Sequence, residues 1–253
     1  LSPIIRASKI AVKQSWNLSM HNTVKVDLGK DSYDIIVGDN FVESIENFSK
    51  KSPSKCMLIT QKIIYQSFEK EFAILESLSN VEIHFIDQGE KAKSIETAID
   101  ISNKMAMMQY DRSSTIFAVG GGVVGDVAGF VASIFMRGIN YVQYPTTLLA
   151  MLDSSIGGKT GVNLKSGKNL IGRIHQPEAV IIDLSFLSTL PQREINASLA
   201  EAIKYGFIYD RDLFDYIVEN MSNILTKRDE DVLRKIILRS CEIKSEIVSK
   251  DVN

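Results

Sequence analysis

Residues 115–172 constrain the chain more than any other stretch. They open with the apolar run Thr115-Ile-Phe-Ala-Val119 and pass straight into the glycine-rich turn Gly120-Gly-Gly-Val-Val-Gly-Asp126. Arg137, Thr146-Thr147, Asp153 and Gly157-Gly-Lys-Thr-Gly161 follow, and Gly167-Lys-Asn-Leu-Ile-Gly172 closes the segment. Few folds collect so many glycines, cations and small hydroxyl residues unless a phosphorylated ligand lies against them. Such affinity has to be local. The 253-residue chain has a net charge of −2 and a pI of about 6.0, which argues against nucleic acid or an anionic membrane as the main partner.

Gly120-x-Gly122-x-x-Gly125 follows a predicted strand and opens a predicted helix, the context in which glycines let a backbone approach a pyrophosphate and helix amides point at its charge. The usual fingerprint adds an acid after the next strand to hold a ribose, and that position reads Tyr144-Pro145. The motif alone therefore leaves open a tight turn whose glycines serve packing only. Gly157-Gly-Lys-Thr-Gly161 is not a Walker A loop, because the required upstream glycine is Asp153. Lys159 is expected as a point charge on a flexible, glycine-bracketed turn. Together with Arg137 and Lys168 it suggests an anion site.

The rest of the chain reads as support for this surface. Thr23–Leu28 and Tyr33–Gly38 alternate as a hairpin should, and a short helix is predicted over Phe41–Phe48. Next come a strand over Cys56–Thr60, an amphipathic helix between Ile63 and Leu78, a strand over Val81–Ile86 and a helix over Ile95–Met108. Beyond the glycine turn, a helix runs through Ile134, with strands over Tyr141–Tyr144 and Ala179–Leu184. Alternating strands and helices predict an α/β fold with a parallel sheet. From Pro191 onward the period is helical, through Ile203, Phe214, Ile217, Leu233, Ile237 and Ile247. Residues 1–22 read as an extension ahead of the domain.

Glu201 and Lys204 stand three apart and share a helix face, as a surface ion pair or as a cleft pair whose carboxylate ligates a metal. His21, His84 and His175 are scattered without ligand spacing, and Cys56 and Cys241 read as free thiols. With no apolar run long enough to span a bilayer and no signal-peptide pattern, a cytoplasmic location without membrane partners is expected.

Taken together, Gly120–Asp126, Arg137-Gly138, Pro145–Asn163, Gly167–Gly172 and Leu199-Ala-Glu-Ala-Ile-Lys-Tyr-Gly206 resemble the 3-dehydroquinate synthase family from about Thr23 onward. The resemblance implies a Rossmann-like NAD-binding α/β domain over 23–190. The start of an all-helical, metal-bearing domain follows over 191–253, with the active site between the two. It also implies conversion of 3-deoxy-arabino-heptulosonate 7-phosphate, a phosphorylated keto-acid sugar, into 3-dehydroquinate and phosphate in the shikimate pathway. NAD, a divalent metal (zinc or cobalt) and a homodimer are implied as well.

By matching position, Glu90 and Lys93 should meet the adenosine part of NAD, and Gly121, Gly122 and Asp126 the pyrophosphate and nicotinamide ribose. Thr146, Thr147, Lys168 and Thr189 line the remaining cofactor path. Asp153 and Lys204 match contacts to the substrate's ring hydroxyls, Lys159 and Asn169 contacts to its phosphate, and Lys244 the contact to its carboxylate. Arg137 matches a phosphate-binding arginine supplied across a dimer interface, and Glu201 a metal ligand. Where the family has an acid for the adenine ribose, this sequence has Gln61, so either Gln61 or Glu90 takes that role. The family's two histidine ligands belong to a motif beyond Lys244 that the sequence does not reach. A truncated chain is expected, with a non-catalytic NAD-binding fragment or pseudoenzyme, or a related sugar-phosphate cyclase, as alternatives.

Overall fold

Alternation at the front of the chain makes its first hairpin. Val24 and Val26 point inward while Thr23 and Lys25 face out, and β1 (Thr23–Val26) pairs antiparallel with β2 (Tyr33–Val37). The structure, a computed structural model, describes residues 23–250 other than positions 39 and 53. The extension expected over 1–22 lies outside the described residues.

The chain then alternates helix and strand: α1 (Phe41–Lys51), β3 (Cys56–Gln61), α2 (Lys62–Ser67), α3 (Glu69–Glu76), β4 (Val81–Ile86), α4 (Ile95–Met107), β5 (Thr115–Gly120), α5 (Gly122–Ile134) and β6 (Asn140–Pro145). A separate hairpin, β7 (Lys159–Leu164) with β8 (Gly167–Ile174), precedes β9 (Ala179–Ile182). The seven-stranded sheet runs β1-β2-β9-β6-β5-β3-β4 and is parallel throughout except at β1. Crossover helices cover both faces, as parallel sheets require. Met57, Ile59, Ile116 and Ala118 pack against α4 and α5; their alternates Leu58, Phe117 and Val119 face the opposite core.

The helices α6 (Gln192–Ile208), α7 (Arg211–Glu219) and α8 (Glu230–Lys250) join that opposite core. Leu199, Ile217, Leu233 and Ile237 are buried in one continuous cluster with Ile35, Val142 and Tyr144. Pro191, where the composition shifts, is the N-cap of α6. Gly206 lets α6 and α7 close on each other, since a Cβ there would stand 2.8 Å from the main-chain nitrogen of Phe214.

Two expectations are corrected. The single helix between Ile63 and Leu78 is two, broken at Phe68 (φ −133°, ψ 41°), whose ring is buried against Phe41 and Phe186. Burial of that aromatic outweighs helix continuity. Lys159 does not sit on a flexible turn: it opens β7, paired with Ile174 of β8. Gly161 and Gly172 allow the two strands to approach, because a Cβ on either would meet the opposite backbone at 2.7 Å or less. No helix among the described residues is long and apolar enough to cross a membrane.

Candidate active site

Helix α5 begins where β5 ends, with Gly121 as its N-cap, so its first amides open onto the carboxyl edge of the sheet. Apart from Asp126 the helix is largely apolar, and it is mostly buried between sheet and hairpin, which fixes that end in place. The Thr146 amide donates to Gly120 O at 3.0 Å, holding the end of β6 beside the turn. A cavity of about 460 Å³ opens there. Gly121, Gly122, Thr146, Thr147 and Thr189 line it, together with Gln61 and Gln88 on one side and Phe68 and Phe186 on another. Free amides at a helix N-terminus, threonine hydroxyls and an apolar wall suit a phosphorylated, aromatic ligand.

A second cavity, of about 540 Å³, is far more polar. Asp126, Asp153, Lys159, Asn169, Arg173 and Lys244 line it. Asp153 lies in a π-turn, Ala150–Ser154, and its Oδ1 accepts from Tyr205 Oη of α6 at 2.5 Å and from Lys244 Nζ of α8 at 2.6 Å. Burial pushes the Asp153 carboxyl up. The hydrogen bonds from Lys244 and Tyr205, with the charges of Lys244 and Lys204, outweigh it and hold the group below the usual carboxylate range. The Tyr205 hydroxyl moves the other way, pushed far up by burial and by its bond to the carboxylate. At neutral pH the pair is therefore carboxylate and phenol, with both donors on Oδ1 and Oδ2 left to a ligand.

The loop before β7 is set by a distant residue. Gly157 has φ +100°, a left-handed conformation suited to glycine, and its amide donates to Tyr33 Oη of β2 at 2.8 Å. Burial pushes the Tyr33 hydroxyl up to about 12, so it stays a neutral acceptor that orients the approach to Lys159.

Beside the second cavity runs a polar strap. Lys93, almost fully buried, pairs with Asp126; burial pushes the Asp126 carboxyl up, with the Lys93 hydrogen bond and charge opposing. Asn163 Nδ2 donates to Glu90 Oε1 at 2.8 Å, and Asn163 Oδ1 accepts the Asn169 amide at 2.8 Å. The exposed Lys168 stands 3.9 Å from Glu90. Glu90 and Lys93 line a separate cavity with Asn163, and neither they nor Lys168 line the first one.

Glu201 and Lys204 form an ion pair on one face of α6, as their spacing predicts, and the Lys204 ammonium lies 5.1 Å from the centre of the Tyr205 ring. Among the described residues no three His, Cys, Asp or Glu side chains gather as a metal site would require, so the described residues alone do not fit a zinc or cobalt centre. Arg137 is exposed, with φ +73°, and lines neither cavity. His175 stacks on Tyr141 with Nε2 2.9 Å from Ile139 O and lines a further cavity with Lys159, Arg173 and Lys244, and His84 lies on the edge strand β4. His21 lies outside the described residues.

Sequence reasoning missed Tyr205 and Arg173. Tyr205 follows Lys204 in a motif already singled out, but its partner is 52 positions away and no local spacing reveals it. Arg173 sits beyond the last glycine of the hairpin, where it lines the polar cavity and donates to Ser133 O at 3.0 Å.

Comparison with known proteins gives a consistent result. A family model described as the N-terminal part of 3-dehydroquinate synthase matches residues 83–197, and one for the C-terminal part matches residues 198–253. The 3-dehydroquinate synthase of Dictyoglomus thermophilum is 45% identical over 228 residues, which is 90% of this chain and 63% of the relative. The chain thus spans less than two thirds of the length of such relatives. Among solved structures, 2-epi-5-epi-valiolone synthase from Streptomyces hygroscopicus, with NAD+ and Zn2+ bound, superimposes with a TM-score of 0.78 at 29% identity, over 87% of this chain and 62% of that one. A 2-deoxy-scyllo-inosose synthase complexed with carbaglucose-6-phosphate, NAD+ and Co2+ gives 0.78 at 27% identity, over 91% and 64%.

Proposed function

Because the chain belongs to the 3-dehydroquinate synthase family, we propose that it is the NAD-binding and substrate-gripping part of such a synthase, acting on 3-deoxy-arabino-heptulosonate 7-phosphate. The observation that carries the reading is the adjacency of two cavities along α5. One suits a dinucleotide; the other presents cations, an amide and an ionised carboxylate to a phosphorylated polyol.

NAD fits the first cavity, where the α5 amides at Gly121 and Gly122 meet its pyrophosphate and Thr146, Thr147 and Thr189 its polar edges. When bound it supplies a reversible hydride acceptor, so that a secondary alcohol is oxidised and later restored. The chain's own residues do the rest of the positioning. Lys159 and Asn169 hold the leaving phosphate, and Lys244 reaches both Asp153 and the substrate carboxylate. Asp153, ionised and already saturated at Oδ1, takes a substrate hydroxyl at Oδ2 and accepts its proton there. Lys204 neutralises charge near that hydroxyl. With that chemistry supplied, the carbon next to the ketone would be acidified, its proton would pass to the departing phosphate as the C–O bond breaks, and re-reduction of the ketone would precede ring closure by aldol addition.

The synthase would use a divalent metal, zinc or cobalt, for which Glu201 is of the right chemical type. Since the described residues do not complete that site, no step is assigned to the metal here. The assembly would be a cytoplasmic homodimer, with the partner's Arg137 reaching the phosphate. Phosphate release from 3-deoxy-arabino-heptulosonate 7-phosphate by the gene product, given NAD and zinc or cobalt, tests the reading. Activity is expected to fall at least about 100-fold in Asp153→Asn, as for loss of a general base. Absent turnover in the unsubstituted protein would overturn it, and release from sedoheptulose 7-phosphate instead would transfer it to a sister cyclase.

A further inference from the structure

Between α5 and β6 the backbone takes a conformation that its residue types do not favour. Met136 (φ +50°) and Arg137 (φ +73°) are both left-handed, and Gly138 follows at φ +123°. Among the described residues no other adjacent pair of non-glycine residues has positive φ. A Cβ crowds its own carbonyl in that region, so such a turn persists only where the surroundings over-determine it. Its own main-chain bonds are Gly138 N to Phe135 O and Ile139 N to Ala132 O, each 2.9 Å. Phe135 is buried, but Ile134, Met136 and Arg137 are exposed, so packing fixes the start of the turn and not the direction of Arg137.

Two side chains at the end of the β7–β8 hairpin hold the turn from outside. Arg173 of β8 donates from Nη1 to Ser133 O at 3.0 Å, one of the last carbonyls of α5, where a cation also suits the helix dipole. On the far side of the turn His175, just beyond β8, donates from Nε2 to Ile139 O at 2.9 Å. Its ring stacks on Tyr141, and the Tyr141 hydroxyl donates to His175 O at 2.9 Å, so the imidazole is itself fixed. Asn169, early in the same strand, is left-handed too (φ +56°) and lines the polar cavity with Lys159. One strand thus joins the anion-binding end of the hairpin to the turn that carries Arg137.

We propose that Arg173 and His175 are positioning residues for Arg137: by bracketing a left-handed turn, they fix the direction in which its guanidinium meets the phosphate of a bound substrate. The inference rests on the reading of Arg137 as a phosphate-binding residue supplied across a dimer interface.

Arg173→Met keeps the aliphatic stem and His175→Phe keeps a ring on Tyr141, and each deletes one bond to the turn. In the 253-residue chain, hydrogen exchange at the Gly138 and Ile139 amides should quicken at least about 5-fold in either variant. In turnover by the gene product, each should raise KM for 3-deoxy-arabino-heptulosonate 7-phosphate about 5- to 10-fold while kcat and the KM for NAD change less than about 2-fold. Arg173→Lys and His175→Gln, which keep a donor, should recover most of the loss. In an Arg137→Ala background the β8 substitutions should add nothing, since their effect passes through that side chain. Unchanged exchange, a fall in kcat with KM unmoved, or effects additive with Arg137→Ala would overturn the inference while leaving the reading of Arg137 intact. An Arg137→Ala variant with unchanged KM for the phosphorylated substrate would overturn both. Because Arg173 is exposed, Arg173→Met decides the matter even if His175→Phe fails to fold, which circular dichroism reports.

Discussion

Removing one oxygen from Tyr205 probes the centre of the polar cavity. Tyr205→Phe keeps the buried ring of a side chain that is only 2% exposed and deletes the 2.5 Å bond to Asp153. Hydrogen bonds to charged partners contribute about 1.5–3 kcal/mol, and the Tyr205–Asp153 bond is part-buried. The chain should therefore lose about 1.5–3 kcal/mol in equilibrium urea unfolding at pH 8.

The pH dependence gives the reasoning a second handle. The Tyr205 hydroxyl is pushed above its ordinary value in the folded chain, so its contribution is fully present below about pH 10, where an unfolded tyrosine titrates, and fades as the pH rises further. The stability gap between the unsubstituted chain and Tyr205→Phe should shrink by about 1.4 kcal/mol per pH unit above 10. Asp153 gives the opposite limb. Its lowered value means stability present above about pH 4 and lost as the pH falls through the depressed value; in Tyr205→Phe the depression is smaller, so less stability is lost over that range. A cost below about 0.5 kcal/mol, or a gap that stays constant to pH 11, would refute a charge-assisted Tyr205–Asp153 bond.

Other perturbations follow from the same geometry. Lys93→Met strands the Asp126 carboxylate in a buried site and should cost about 3–5 kcal/mol at pH 8. Because burial already pushes Asp126 up, the variant should regain stability as the pH falls towards 5, which a series of thermal melts would show. Gly206→Ala places a methyl within 3.0 Å of the Phe214 backbone and should lower stability by about 1–3 kcal/mol, visible as a lower melting temperature. Gly121→Val should abolish the rise in melting temperature expected from NAD and also lower the ligand-free melt somewhat, because even a Cβ there would stand 3.0 Å from Thr147 Cγ2 at the cavity wall.

Much of the scaffold was legible because its signals are local. Thr115–Val119 running into glycine, and the helical period beyond Pro191, announce themselves within a few residues. The β7–β8 hairpin was not legible, since its glycines dilute strand character and β8 is mostly exposed, with no alternation to read. The break at Phe68 depends on rings that arrive from Phe41 and Phe186, far along the chain. At the site, residue types pointed to an anion-binding surface, and the family resemblance assigned their roles. What neither supplied was the wiring: Tyr205 and Lys244 converging on a single oxygen of Asp153, and Tyr33 setting the loop ahead of Lys159.

Helix α8 has a consequence for how copies of this chain meet one another. Among the described residues strand β1 is one of the two edges of the sheet, and an open edge offers unpaired carbonyls and amides to any passing strand. One turn of α8 closes that route while serving the cavity: Ser245 donates to Lys25 O of β1 at 3.0 Å, and its neighbour Lys244 reaches Asp153. Cys241, one turn earlier, packs its sulfur against Met151 O of the π-turn. Cover of the β1 edge and placement of the proposed substrate-binding lysine thus depend on the same few residues. Substitutions that loosen α8 should therefore reduce solubility and ligand affinity together, and selection for either property would preserve the other.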